Sequence, residues 1–188
     1  LPTVLTLSKR TNIFKSKVFK NGWFEVQDKG SQAIGEFLNP LSGELVIDAC
    51  AGAGGKSLQL AALMKNKGKV ISMDVEDWKL EELKRRAKRA GAFNIEAQLI
   101  DSAKTISRYT LKADKLLLDV PCSGLGVLKR NPDTKWKLNP QSMQQTKETQ
   151  KHILSNYSQM LKIGGEMVYS TCSILPSENQ EQVQHFLN

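Results

Sequence analysis

From Gly43 onward, short aliphatic runs alternate with longer stretches in which apolar residues recur every three or four positions. ELVIDACA (44–51) reads as a strand, Gly52–Gly55 as a turn, and KSLQLAALMKN as a helix. KVISMDV (69–75) reads as the next strand, followed by a helix to about Ala90 that stops at Gly91. IEAQLID (95–101) and KLLLDVP (115–121) follow as strands, and three consecutive leucines suit a strand covered on both faces. A helix near 141–162 sets Ile153, Leu154, Tyr157, Met160 and Leu161 on one stripe, with Gly164–Gly165 as its stop. EMVYSTCS (166–173) is the fifth strand, and Pro176–Ser177–Glu178 opens a last helix. This alternation predicts an α/β fold, a mostly parallel, doubly wound Rossmann-like sheet with helices on both faces. Residues 1–24 stand outside the rhythm, and no internal repeat or low-complexity tract interrupts it.

Composition narrows the setting. A chain of 188 residues suits one domain with a full core. No run is long enough to cross a bilayer, and no basic-then-apolar start marks a signal peptide, so no membrane association is expected. The three cysteines, Cys50, Cys122 and Cys172, lack CxxC spacing, which predicts neither a disulfide framework nor a metal site and suits a reducing, cytoplasmic compartment. The net charge of +8, with a pI near 9.4, points to a polyanionic partner. The cations cluster: Lys9, Arg10, Lys15, Lys17 and Lys20 in a segment without acids; Lys84, Arg85, Arg86, Lys88 and Arg89 on the second helix; and Lys129, Arg130, Lys135 and Lys137 around Trp136. Each cluster alone is more often a solvated face, but cations interleaved with an aromatic favour nucleic-acid contact.

The candidate chemistry lies where strands end. DACAGAGGKS (48–57) follows the first strand and opens a helix, with glycines that let backbone N–H groups approach a ligand. It matches neither the dinucleotide fingerprint nor the phosphate-loop frame. Asp74 closes the second strand about twenty residues after that turn, the place of a ribose-binding acid in nucleoside-binding α/β folds. With Asp48, Asp101 and Asp119, it makes four successive strands ending at or near an aspartate. One such aspartate is usually a turn former or cap, whereas four line a sheet edge with negative charge, suiting an adenosine cofactor with a cationic centre, S-adenosylmethionine. In LLLDVPCSG (116–124), Pro121 ends the strand and puts Asp119 and Cys122 at the same edge, where YSTCS places Cys172. A lone cysteine there is a packed apolar thiol as often as not. Two suggest thiol chemistry, and methylation at carbon 5 of a pyrimidine needs it: a thiolate adding at carbon 6 makes carbon 5 nucleophilic. A carboxyl group must then bind the N3/N4 edge of the ring, a task for which Asp119 is well placed.

VQDKGSQ (26–32), DACAGAGGKS, LLLDVPCSGLGVLKRNPDTKW (116–136) and LKIGGEMVYSTCSILPSENQ (161–180) resemble the Sun (Fmu) family of RNA cytosine-5 methyltransferases, in order from about Gly22 to the end. The resemblance implies a class I S-adenosylmethionine-dependent methyltransferase fold, lacking the strands that follow the last helix in the family. It also implies a catalytic domain at 25–188, preceded in 1–24 by the tail of an upstream RNA-binding region. By position, the cofactor segment falls on Cys50, Ala51, Gly52, Ala53, Gly54, Gly55 and Lys56, with Asp74, Asp101 and Asp119 as further contacts. The family nucleophile falls on Cys172, and the cysteine that assists product release on Cys122. Where the family commonly reads C-A-A-P-G-G-K, this chain has Gly52 and Ala53 in place of Ala-Pro. The implied substrate is RNA, small-subunit ribosomal RNA ahead of tRNA, acted on by a monomer without a metal ion. The other readings are a nicotinamide-dependent oxidoreductase, which leaves PCSG and TCS unexplained, a non-catalytic RNA-binding module, and a DNA cytosine-5 methyltransferase, in which the PC cysteine is the nucleophile.

Overall fold

The computed structural model describes residues 4–9 and 11–188. Five strands, β1 (Leu45–Asp48), β2 (Lys69–Asp74), β3 (Ile95–Leu99), β4 (Ala113–Asp119) and β5 (Leu161–Ser170), form one all-parallel sheet in the order β3-β2-β1-β4-β5. The order reverses between β1 and β4, which opens a crevice at their carboxyl ends.

The alternating sides of these strands build two cores. Ile47, Ile71, Leu116 and Leu118 pack with Ile106, Ile153, Leu154, Tyr157 and Met160 on one face. Val46, Val70 and Leu117 pack on the other with Leu38, Leu60, Ala61 and Met64. The first face is covered by α5 (Ala103–Ser107) and α7 (Pro140–Tyr157), the second by α2 (Lys29–Leu38) and α3 (Gly55–Leu63). Leu80 and Leu83 of α4 (Asp77–Ala90) cover β3 through Ile95, Ala97 and Leu99. Each fully buried leucine or isoleucine contributes about 1.5–3 kcal/mol, so these stripes fix the layer order. Two shorter helices, α1 (Lys17–Lys20) and α6 (Thr134–Lys137), and a last one, α8 (Gln180–Leu187), complete the elements.

The doubly wound parallel sheet expected from the sequence is present, with α4 ending at Gly91 in a left-handed conformation. Several boundaries differ. The 141–162 helix ends at Tyr157, a 3-10 turn covers Ser158–Met160, and β5 already starts at Leu161. Gly164 and Gly165 are not a helix stop. They lie in a bulge of β5, where the register jumps from Ala113↔Leu161 to Lys115↔Glu166. Gly164 takes φ +78°, and a Cβ on Gly165 would sit 2.9 Å from the Asp114 carbonyl oxygen, so glycine meets the demands of a bulge as well as those of a cap. β5 ends at Ser170, which leaves Cys172 beyond the sheet, and β3 ends at Leu99, two residues before Asp101. Pro176–Glu178 form a 3-10 turn, and α8 starts only at Gln180.

The segment before α2 packs on α4. Phe19 stacks edge-on with Phe14 and lies 4.3 Å beneath the Arg89 guanidinium. Glu25 pairs with both Arg86 and Arg89.

Candidate active site

The turn after β1 is held from three sides. Ala51 N–H donates to the Met73 carbonyl at 2.8 Å, and Gly54 N–H to the Ala51 carbonyl at 2.9 Å. Gly52 N–H donates to Asp74 Oδ2 at 2.9 Å, while Asp74 Oδ1 accepts from Glu76 N–H at 3.0 Å. Arg86 closes the third side by donating to the Ala53 carbonyl at 2.8 Å. Gly54, which caps α3 at φ +83°, has no room for a side chain, since a Cβ would meet Leu83 Cγ at 2.6 Å. A Cβ on Gly52 or Gly55 would meet nothing within 4 Å, so the turn borders open space. Cys50, Ala51, Gly52, Ala53, Gly54, Gly55 and Lys56 thus form one loop tied to Asp74.

Negative charge surrounds that loop. Asp48 is buried, accepts from Ser57 Oγ at 2.7 Å and leaves Oδ1 without a partner. Burial, with the nearby Asp119 adding to it, pushes Asp48 up to about 7. Burial first, then Asp48, Asp74 and Asp119, push the Cys50 thiol far above its ordinary range, which keeps it protonated. Lys56 reaches across the crevice to form an ion pair with Asp119. Open space beside a backbone cradle, an unpartnered buried carboxylate oxygen and an acidic rim all fit a nucleoside bearing a positive centre. Asp101 is exposed, and its carboxylate accepts from the hydroxyls of Thr105 and Ser102 at the start of α5, which hold it below the usual carboxylate range.

The second half of the site is built by neighbouring strand tips. Asp119 pairs in register with Ser170, whose hydroxyl donates to Asp119 Oδ1 at 2.9 Å. From there both strands leave the sheet. Cys122 and Cys172 meet with their Sγ atoms 3.2 Å apart, and Cys172 N–H points at Cys122 Sγ from 3.2 Å. The two thiols are unequal. The hydrogen bond with Cys122 brings Cys172 down to about 7, and the same bond, followed by burial, drives Cys122 far up. Either sulfur can donate across that contact, and the direction of the shifts makes Cys172 the more acidic of the two. Gly126 N–H donates to the Cys172 carbonyl at 2.8 Å, bringing the 3-10 turn Leu125–Val127 against the second cysteine.

Sequence reasoning missed a third component. Glu178, buried beneath both cysteine loops, binds Ser123 and Ser173, the residues that follow Cys122 and Cys172. The repeated Cys-Ser pair in PCSG and TCS was the signal available. It was masked because Pro-Ser-Glu reads equally well as a helix start.

The cationic clusters fare differently. On α4, Lys79 pairs with Glu76, Lys84 with Glu81, Arg85 with Glu82, and Arg86 and Arg89 with Glu25, so five of its six cations are engaged within the protein. Lys84 and Arg85 stay exposed, as on a solvated face, whereas Arg86 and Arg89 are largely buried against Glu25. Trp136 is 78% exposed with Lys135 over its ring at 4.7 Å, and Lys129 and Lys137 are exposed, while Arg130 pairs with Asp28. Lys15, Lys17 and Lys20 are exposed, and Arg10 lies outside the described residues. Among the described residues, no cluster of His, Cys, Asp and Glu is arranged to hold a metal ion, and no helix is long and apolar enough to cross a membrane.

Proteins of Bacillus subtilis and Synechocystis, each named "Probable ribosomal RNA small subunit methyltransferase B", are 40% and 36% identical over 90% and 100% of this chain. The chain spans 38% and 42% of their lengths, about two fifths. The crystal structure of NSun6 from Pyrococcus horikoshii with SFG, an S-adenosylmethionine analogue, superposes with a TM-score of 0.86 at 30% identity, over 95% of this chain and 45% of that one. The model of the family described as 16S rRNA methyltransferase RsmB/F, whose members depend on S-adenosylmethionine, matches residues 36–188. That match takes in the glycine turn, the acids at the strand ends and both cysteine loops, and the chain belongs to the 16S rRNA methyltransferase RsmB/F family.

Proposed function

We propose that this chain is the catalytic part of an RNA cytosine-5 methyltransferase acting on ribosomal RNA. Residues 25–188 form its catalytic domain, and 1–24 are the end of an upstream RNA-binding region. The carrying observation is the thiol pair, two cysteines 3.2 Å apart on adjacent strand tips, one acidified by the other, beside Asp119. S-adenosylmethionine, when bound, supplies an electrophilic methyl group. The loop Cys50–Lys56 would hold it, with Asp74 on the ribose and Asp101 and Asp119 as further contacts. The exposed Trp136 with its lysines, and the lysines of the first segment, give the RNA strand a stacking face and phosphate contacts. Free thiols at all three cysteines suit a cytoplasmic enzyme, and we take it to act as a monomer.

The residues divide the chemistry as follows. The Cys172 thiolate adds to carbon 6 of a flipped cytosine, and carbon 5 becomes nucleophilic enough to take the methyl group. Asp119 accepts from the N4 amine on the N3/N4 edge and so holds the ring in place for methyl transfer. Cys122 serves the later stage: once Cys172 is bonded to carbon 6 and no longer accepts from it, Cys122 gives its proton to solvent, and its thiolate takes the carbon-5 proton as the sulfur–carbon bond breaks and Cys172 leaves as the thiolate. A thiolate near neutrality is the better nucleophile, which favours Cys172 for the first role.

The test is denaturing gel electrophoresis with substrate RNA and S-adenosylmethionine. Cys122→Ala should accumulate a slow-migrating RNA–protein adduct, and Cys172→Ala should give neither adduct nor methylation. The reverse pattern would exchange the roles, as in a DNA-type enzyme. Full methylation by both variants would remove the thiols from the mechanism, and an inactive wild type that still binds RNA would leave a binding module.

A further inference from the structure

Glu178 is 1% exposed, yet the chemistry above gives it no task. It ends the 3-10 turn Pro176–Glu178 and sends its side chain back under both cysteine loops. Oε1 accepts from the backbone N–H of Ser123 at 2.8 Å and from Gln150 Nε2 at 3.0 Å. Oε2 accepts from the hydroxyls of Ser123 and Ser173, which themselves lie 3.0 Å apart. Gln150, wholly buried on α7, also donates to the Pro121 carbonyl at 2.9 Å, on the other side of Cys122. The Glu178 carbonyl in turn accepts from Tyr169 Oη at 2.9 Å, which anchors the turn to β5. One carboxylate thus holds the residue after each cysteine and, through Gln150, the residue before one of them.

We propose that Glu178 is a positioning residue, which joins the two cysteine loops and thereby sets the spacing of the Cys122 and Cys172 thiols. A carboxylate accepts about four hydrogen bonds, and here four donors converge on it. Burial alone would push its carboxyl up, but the bonds from Ser123, Ser173 and Gln150 outweigh burial and hold it below its ordinary range. Without it, a backbone N–H, two hydroxyls and a buried amide would lose their partner together, and Ser123 and Ser173 would keep their mutual contact alone. Neither cysteine touches Glu178, so it acts through the loops. The geometric claim stands apart from the proposed methylation, and only its consequence for catalysis rests on that reading.

The experiment reads thiol spacing directly on the full chain. Diamide takes two electrons and two protons from a close thiol pair to give a disulfide, and the rate of the Cys122–Cys172 crosslink is followed by peptide mass. Glu178→Ala should slow the crosslink about tenfold or more, because sulfurs displaced by an ångström or so seldom meet in line. Glu178→Gln keeps an acceptor for Ser123 N–H and Gln150 and offers its amide to the serine oxygens, so it should stay within about threefold of wild type. Alkylation of Cys172 by iodoacetamide, with Asp119 and Lys56 as the charged groups facing it, should move in Glu178→Ala from a midpoint near pH 7 to higher pH, because Cys122 no longer donates to it. A downward move would mean that Glu178 acts by its charge and would overturn the proposal, as would wild-type crosslinking in Glu178→Ala. Should Glu178→Ala fail to fold by circular dichroism, Ser123→Ala and Ser173→Ala each remove one arm. Slower crosslinking in both supports the clamp, and wild-type rates in both overturn it. Loss of methylation in the wild type, with these thiol effects intact, would count against the proposed function alone.

Discussion

Asp48 shows how a single buried group leaves a signature in the whole protein's behaviour. Its carboxyl rises from 3.8 to about 7 in the folded state because burial disfavours the charge and one oxygen has no partner. A raised folded pKa means the native state holds the proton more tightly than the unfolded chain. The associated stability is therefore complete below about pH 4 and is lost as pH rises through about 7, by no more than about 4 kcal/mol. Asp48→Asn keeps the shape without the charge. Urea unfolding between pH 4 and 8 should then show a flatter stability profile than wild type, with the variant the more stable of the two at pH 8. Equal slopes for the two proteins would place the charge elsewhere. The same acid adds to the negative surroundings that keep Cys50 protonated, which is why one of three cysteines is packing while the other two form a pair.

At the level of elements, the site depends on how closely one loop can approach another. Gly126 donates to the Cys172 carbonyl, and a Cβ there would lie 2.7 Å from that oxygen and 3.3 Å from its carbon. Both are backbone atoms, so the Cys172 loop itself would have to move. Gly126→Ala should leave the melting temperature within a few degrees of wild type and cut methyl incorporation into RNA on the order of 10- to 100-fold. An active Gly126→Ala enzyme would show that the loop tolerates the shift. These approaches explain what could be read from the sequence and what could not. Strand–helix alternation, the turn at Cys50–Lys56, and the presence of Asp119, Cys122 and Cys172 at one edge follow from periodicity and strand ends, which are local properties. The glycine pair 164–165 was misread because caps and bulges ask for the same residue. The Lys56–Asp119 pair and the Glu178 hub span 63 and 55 residues of sequence, and no local pattern specifies which distant donor a buried carboxylate will find.

Over the whole molecule, the net charge of +8 is distributed less simply than the count suggests. Glu25 pairs with both Arg86 and Arg89, whose side chains are only 17% and 25% exposed, and the pairs fasten the first segment to α4. Glu25→Gln should loosen that attachment and lower the melting temperature while freeing two cations. If they then reach phosphates, the log-log salt slope of single-stranded RNA binding should steepen by up to about 1.4, at about 0.7 per contact. An unchanged slope with a lowered melting temperature would confine Glu25 to the attachment. The sheet order has a consequence of its own. β1, β2 and β4 are each flanked by two strands, whereas among the described residues β5 pairs with β4 alone, and its residues are half-buried or exposed where those of β4 are mostly buried. The cofactor turn stands on the middle of the sheet, while one of its two thiols hangs from the rim. Opening of β5 alone would part the thiols and leave the turn intact, so this chain of 188 residues should interconvert between states competent and incompetent in the thiol step without unfolding. Native-state hydrogen exchange should find β5 amides opening at lower free energy than those of β1 and β4. If all three exchange only through global unfolding, the two halves of the site rise and fall together.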